Sequence, residues 1–360
     1  MMRNTVSALL AAAVVALPSL AAAQAPRVTR EAQQRPPHVI VERQREAGRV
    51  AQVRDNRPQE TERVTHTFKV GGSGELQVSN ISGDITITRG RGNEIQVEAV
   101  KTAQARTAEE ARAMLAAVRV DFAERAGRAE VKVIYPRQQF TPGSQRNNIS
   151  VSVAYTITAP EGTRITAKSI SGNVKVTGIK GELTLHSTSG NVGAFEASRV
   201  VSAASTSGNV EVADLRSDLP VELKSISGNV IVRQARTPRL ELSTISGNMI
   251  LDNVQVERVE AQSISGDLTF TAGLARGGRY DLNSHSGNVT ITLTGGSGFE
   301  LDANSFSGNV QTGLELKDRS TGAAGTSRGG RTRRLRGIHG DGSALLDITT
   351  FSGNVTITKK

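Results

Sequence analysis

Ser171-Gly172-Asn173-Val174-Lys175-Val176 is one statement of a phrase that this chain repeats. The corner returns as Gly190-Asn191, Gly208-Asn209, Gly228-Asn229, Gly247-Asn248, Gly287-Asn288, Gly308-Asn309 and Gly353-Asn354, each with Ser before it and an apolar residue after it. Two more copies, Ser82-Gly83-Asp84 and Ser265-Gly266-Asp267, carry Asp in place of Asn. From Ser171 to Ser307 the serines stand 18, 18, 20, 19, 19, 21 and 21 residues apart. A steady period near twenty marks a stacked repeat in which each unit packs on its neighbours.

Around each corner the pattern is that of short strands. Apolar residues lie six and four positions before the central Ser (Leu183 and Leu185, Val221 and Leu223, Leu240 and Leu242), and a hydroxyl lies two before it (Ser187, Ser205, Ser225, Thr244). Apolar residues follow the Asn at once and again two later, as in Val210 and Val212. This period-two alternation reads as two strands, each with one buried edge, joined at the corner. Gly supplies backbone angles closed to other residues and leaves room for a coil above. Asn tolerates left-handed angles and carries an amide that can ladder from coil to coil. The expected fold is all-β: a β-solenoid, or single-chain β-helix, of about 18–21 residues per coil. Nine copies from Ser171 onward would stack to roughly 45–50 Å.

Working outward, residues 1–23 read as a secretory signal, with Arg3, an apolar run from Val6 to Leu17, and Ala21-Ala22-Ala23 before the cleavage point. Residues 24–65, rich in Arg, Gln, Glu and Pro, read as a disordered linker. Residues 66–163 read as an N-terminal β part containing one short α-helix over 108–118, opened by a capping box at Thr107 and Glu110 and expected to cap the stack. Residues 164–360 hold the repeat array. The 45-residue step from Ser307 to Ser352 reads as one degenerate coil plus a Gly-rich insertion over 318–343. That insertion contains Arg328, Arg331, Arg333, Arg334 and Arg336. Its plain reading is a solvated loop; its functional reading is a contact for phosphate or acidic sugar, which guanidinium pairs bidentately.

Composition narrows the chemistry. The 360 residues include no Cys and no Trp, and the net charge is +10. Disulfides, thiolate metal sites and Cys nucleophiles are thereby excluded, and anionic partners are favoured electrostatically. His38, His66, His186, His285 and His339 are far apart in sequence, so no metal site is expected. Ser284-His285-Ser286-Gly287 superficially suggests a hydrolase, but its Ser recurs in every repeat and so serves the repeat. His285 itself reads as a ladder residue. Asp84 and Asp267 read as turn formers in place of Asn, with calcium ligation as the competing reading. The residues just before each central Ser include Ile81, Ile170, Ile226, Ile245, Ile264, His285, Phe306 and Phe351. Strict alternation would make them an outward apolar stripe; an inward bend at the corner, the reading favoured here, would make them core.

The repeated Ser-Gly-Asn/Asp with its apolar strand, the Ala-rich helix, the entry Val153-x-Tyr155-x-Ile157-x-x-Pro160-x-Gly162-Thr163 and the last copy over Gly340 to Ile357 span roughly residues 68–360. Together they resemble a bacterial exported, adhesin-like family of domains of unknown function, related to autotransporter adhesin head domains. The resemblance implies a β-solenoid and brings no catalytic residues. The function expected is an exported, non-enzymatic structural or adhesive module of the cell envelope, periplasmic or on the cell surface. A polysaccharide-active β-helix enzyme and an envelope-stress or assembly factor are the alternatives. No cofactor, no nucleic-acid partner and no membrane span in the mature chain are expected; acidic polysaccharide, glycolipid or an envelope protein are the partners expected.

Overall fold

A computed structural model of the protein describes residues 57–136, 150–317, 324–325 and 333–360. The expected signal over 1–23, most of the 24–65 linker, and Arg328 and Arg331 lie outside the described residues. What is described is nearly all β, with one helix, Ala108–Ala117. No helix among the described residues is long and apolar enough to cross a membrane.

Each repeat contributes a strand before its corner and a strand after it, and both pair in parallel with the same strands of neighbouring repeats. Before the corner, Arg164–Ser171 pairs with Glu75–Ser82 on one side and Glu182–Ser189 on the other. The pairing continues through Arg199–Ser207, Val221–Ser227 and onward to Arg279–Ser286. The central serines are register partners at every step, from Ser82↔Ser171 to Ser265↔Ser286. After the corner, Val174–Thr177 pairs with Ile85–Arg89 and Val192–Phe195, and the ladder runs on in the same way. The register follows from the alternation: a slip of one residue would turn every buried column toward water. Leu183, Leu223 and Leu240 before the corners, with Val176, Val212 and Val232 after them, are wholly buried.

A second corner recurs at five levels. Glu196, Asp214, Gln234 and Asn253 adopt φ between +52° and +54°, and Gly178 adopts +76°. Each lies seven residues after its central Ser. Four of these residues carry a carboxylate or carboxamide and the fifth is Gly, a polar signature at a fixed offset from the Ser. Hydrogen bonds between levels hold it, such as Glu196 N–H to the Ala213 carbonyl at 3.1 Å.

The C-terminal end departs from the expected order. Ala344–Ser352, from the last repeat, pairs in parallel with Arg279–Ser286 on one side and Phe299–Ser305 on the other. The last repeat in sequence therefore lies between the two before it. Among the described residues no degenerate coil separates Ser307 from Ser352. Instead Arg334–His339 runs antiparallel along the outer edge of Phe299–Ser305. It covers an edge that would otherwise present unpaired backbone. Part of the expected loop is thus a strand, legible in hindsight from the alternation that buries Leu335 between exposed Arg334 and Arg336. The return passes across Gly298, where Asp341 accepts the Gly298 N–H at 3.0 Å and Ser343 Oγ donates to the Gly298 carbonyl at 3.1 Å.

At the other end, Arg128–Ile134 and Ser150–Ala159 continue the two ladders beyond the Ser82 repeat. Antiparallel strands then close them: Arg119–Arg125, Ile95–Gln104 and Gln59–Phe68. The last residues of the expected linker are therefore strand from Gln59 onward, because the edge of Ile95–Gln104 takes a partner and Phe68 is buried. The helix starts as expected, with Thr107 Oγ1 accepting the Glu110 N–H at 3.2 Å. Its Ala111 and Leu115 pack on Ala103 and Ala105. The buried Lys101 ammonium closes its far end, donating to the Leu115 and Val118 carbonyls at 3.0 and 3.2 Å and pairing with Glu62 at 2.8 Å.

Candidate functional site

The corner is built by contacts between levels. A Cβ placed on Gly172, Gly190, Gly208, Gly228, Gly247 or Gly287 would sit 2.0–2.3 Å from the carbonyl oxygen of the corner glycine one level away. Gly308 and Gly353 are equally tight, at 2.0 Å. Glycine is needed because backbone passes backbone with no room for a side chain. Five corner glycines, Gly83, Gly172, Gly247, Gly266 and Gly287, have positive φ from +110° to +158°, as glycine allows, and no corner Asn has positive φ.

Asn serves as an acceptor. The Asn173 side-chain oxygen accepts the Asn191 N–H at 2.9 Å, and the relation repeats at Asn209, Asn229 and Asn248 over 2.8–2.9 Å. It continues through Asn288 to Asn354 at 3.0 Å and from Asn354 to Asn309 at 3.1 Å. Asp84 and Asp267 occupy the same place, accepting the N–H of Asn173 and Asn288 at 2.8 Å. An acceptor oxygen is all the ladder requires, so Asp substitutes without loss. The hydroxyl two before each Ser faces inward and donates to the glycine carbonyl one level away: Ser187 to Gly172 at 2.9 Å, Ser205 to Gly190 at 2.8 Å, Ser305 to Gly353 at 2.8 Å. Ser169 and Ser263 hold that slot with buried hydroxyls that find no partner.

The residues just before each central Ser are not core. The described chain has ten exposed large hydrophobic residues, and seven belong to this column: Ile81, Ile170, Ile226, Ile245, Ile264, Phe351 and Phe306. Alternation holds through the corner, so the strand's outward face continues to its last residue. In stacking order the column reads Ile81, Ile170, Thr188, Thr206, Ile226, Ile245, Ile264, His285, Phe351, Phe306. At its end the rings stack. His285 lies 4.9 Å from Phe351 and Phe351 lies 4.8 Å from Phe306, both with planes 7° apart. Ten levels at the strand spacing make a line roughly 43 Å long.

Two polar columns run beside it on the same face. The outer one is carboxylate over six successive levels: Glu222, Glu241, Glu260, Asp281, Asp347 and Asp302. Basic partners offset most of it. Arg279 lies 3.0 Å from Asp281, Arg239 binds Glu241 and Glu260, and Arg336 and Arg334 reach Asp302 at 2.6 and 3.4 Å. The Arg336 hydrogen bond holds Asp302 below the ordinary carboxylate range. Asp347 has no ion-pair or hydrogen-bond partner among the described residues; desolvation, then the flanking Asp302 and Asp281, push its pKa up.

Of the five arginines singled out in the sequence, Arg334 and Arg336 are engaged with Asp302, and Arg333 offers its carbonyl to the Ser305 N–H at 2.7 Å. His186 and His285 lie in different columns, three and one residues before their central serines. Among the described residues no group of three or more His, Cys, Asp or Glu converges as a metal site would.

A family model described as Toastrack DUF4097 matches residues 73–358, the whole run from the first strand ladder to the last. The chain belongs to this family. No functionally curated protein matches it. Among solved structures, a candidate adhesin of Bacteroides fragilis is similar at 14% identity and a TM-score of 0.39, over 83% of this chain and 97% of that one. A candidate lipid-binding protein of Parabacteroides distasonis is similar at 12% identity and a TM-score of 0.42, over 83% and 96%. A candidate adhesin of Parabacteroides merdae is similar at 8% identity and 0.38, over 83% and 96%.

Proposed function

We propose that this Toastrack chain is an exported, non-enzymatic binding module of the cell envelope, built as a β-solenoid and touching its partner through the exposed apolar column. The observation that carries the reading is the concentration of exposed large hydrophobic residues in that one line. Scattered apolar residues need no explanation, whereas seven aligned in one column beside polar columns mark a contact surface. Removing one half-exposed Ile from water is worth about 1 kcal/mol, so several acting together give useful adhesion without any deep pocket. Export rests on the signal-like residues 1–23, and an envelope polysaccharide, glycolipid or protein is the partner class.

The column supplies its own test. Thr188 and Thr206 already occupy two of its levels, so Ile226→Thr, Ile245→Thr and Ile264→Thr together preserve strand propensity while removing apolar surface. The triple variant is expected to fold normally and to lose retention on isolated sacculi and outer-membrane vesicles that hold the parent protein. Equal retention of the two would remove the column from the mechanism.

A further inference from the structure

The last three levels of the contact face carry chemistry that apolar adhesion does not use. Along the strands ending at Ser286, Ser352 and Ser305, the ring column is followed two residues back by Asn283, Thr349 and Asn304, and two further back by aspartates. Successive columns are about 7 Å apart and successive levels about 4.8 Å. Aromatic, amide or hydroxyl, and carboxylate groups thus repeat in register over one small area.

The dimensions choose among occupants. Three levels by three columns cover roughly 10 Å by 14 Å, on the order of 150 Å², against about 800 Å² per partner in a stable protein interface. A thin linear polymer matches that footprint where a globular partner does not. Polarity narrows it further. A pyranose has C–H faces that pack on aromatic rings and a rim of hydroxyls that needs donors and acceptors, and its length is close to one step between levels. Phe306 lies on the terminal level and is 64% exposed, the most exposed large hydrophobic residue in the column. Asn283 and Asn304 can both donate and accept. Asp347 is an acceptor still free for two hydroxyls, because Arg279 and Arg336 engage the carboxylates on either side. The carboxylate row disfavours uronate or sulfate.

We infer that this array binds a linear, uncharged saccharide chain, with a sugar face on Phe306, since His285 and Phe306 cover both faces of the Phe351 ring, and hydroxyls on Asn283, Asn304 and Asp347. The inference rests on the contact-face reading and names a ligand class for one end of it.

Calorimetric titration of the full chain with cellohexaose, maltohexaose, laminarihexaose and hexagalacturonate tests it. At least one neutral hexasaccharide is expected to bind, and hexagalacturonate is not. Phe306→Ala is expected to weaken that binding about tenfold, with Asp347→Asn weakening it less. Ile134→Thr, at an exposed position outside the column, is expected to leave it unchanged. Phe306 is exposed and Asp347→Asn is conservative, so a general folding defect would show in circular dichroism and not in these two variants alone. No binding to any neutral chain, preference for hexagalacturonate, or binding indifferent to both substitutions would overturn the inference. The sacculus and vesicle assay reads Ile226, Ile245 and Ile264, so the contact-face reading can stand or fall separately.

Discussion

Gly228→Ala isolates the close approach at the corner, because Gly228 is not in the left-handed region and alanine meets no conformational penalty of its own there. The added Cβ would sit 2.1 Å from the Gly208 oxygen, 2.5 Å from its carbon and 3.1 Å from the Asn209 nitrogen. All three are backbone, so no side chain can swing away. Relief requires the two levels to part by roughly 1 Å, which takes hydrogen bonds of normal length out of range. Four bonds cross this step: Gly208 N–H to Ser227 O at 3.1 Å, Val210 N–H to Asn229 O at 2.9 Å, Asn229 N–H to Asn209 Oδ1 at 2.8 Å, and Ser225 Oγ to Gly208 O at 2.9 Å. At about 0.5–1.5 kcal/mol each, the local loss is about 2–6 kcal/mol. Ser227→Ala, one residue away with an exposed side chain, is expected to stay within about 0.5 kcal/mol. A stacked array need not unfold as one unit, so the readout is amide hydrogen exchange over residues 205–250 rather than a single melting curve. Protection in Gly228→Ala indistinguishable from Ser227→Ala would refute the steric account of the corner.

Other outcomes follow from the same contacts. Asn229→Asp keeps the acceptor for the Asn248 N–H and is expected to be nearly neutral, whereas Asn229→Ala should cost about 1 kcal/mol in urea titrations of local exchange. Lys101→Met leaves the Leu115 and Val118 carbonyls and Glu62 without their shared cation, and exchange should accelerate in the helix and in Gln59–Phe68 while the array stays protected. Asp302 and Asp341 both have lowered pKa values, from the Arg336 hydrogen bond and from Ser343 respectively. Their contribution is complete above the unfolded carboxylate value of about 3.9 and is lost as pH falls through the depressed folded values, so acidification should loosen Arg334–His339, as followed by proteolysis across a pH series.

Much of this architecture was legible because the repeat imposes its spacing on chemistry that can serve only one purpose. A Ser-Gly-Asn triplet at intervals near twenty needs the glycine for clearance and the Asn oxygen for its neighbour, and Leu183 and Leu185 follow by alternation. Less legible was anything that depends on which level neighbours which. Ser307 and Ser352 carry the same local pattern as every other copy, so their exchanged order cannot be read from them; it is set by the turn at Gly340–Ser343 crossing Gly298. The second corner is marked only by a carboxylate or carboxamide residue seven positions after the Ser, at Glu196, Asp214, Gln234 and Asn253, a weak signal among other polar surface positions. The apolar column is exposed because alternation persists to the Ser where an inward bend before the corner would have buried it, and one sequence is compatible with either path.

Because the chain has no Cys, paired cysteines test the stacking order without competition from native thiols. Ser286 and Ser352 are register partners on adjacent strands, within the separation a disulfide spans, and their side chains are exposed. Mild oxidation of a Ser286→Cys, Ser352→Cys variant is therefore expected to cross-link nearly completely within one chain, and a Ser286→Cys, Ser307→Cys variant to remain reduced. Cross-linking of the second pair in preference to the first would contradict the inserted C-terminal repeat and the ladder of corners on which the contact face depends.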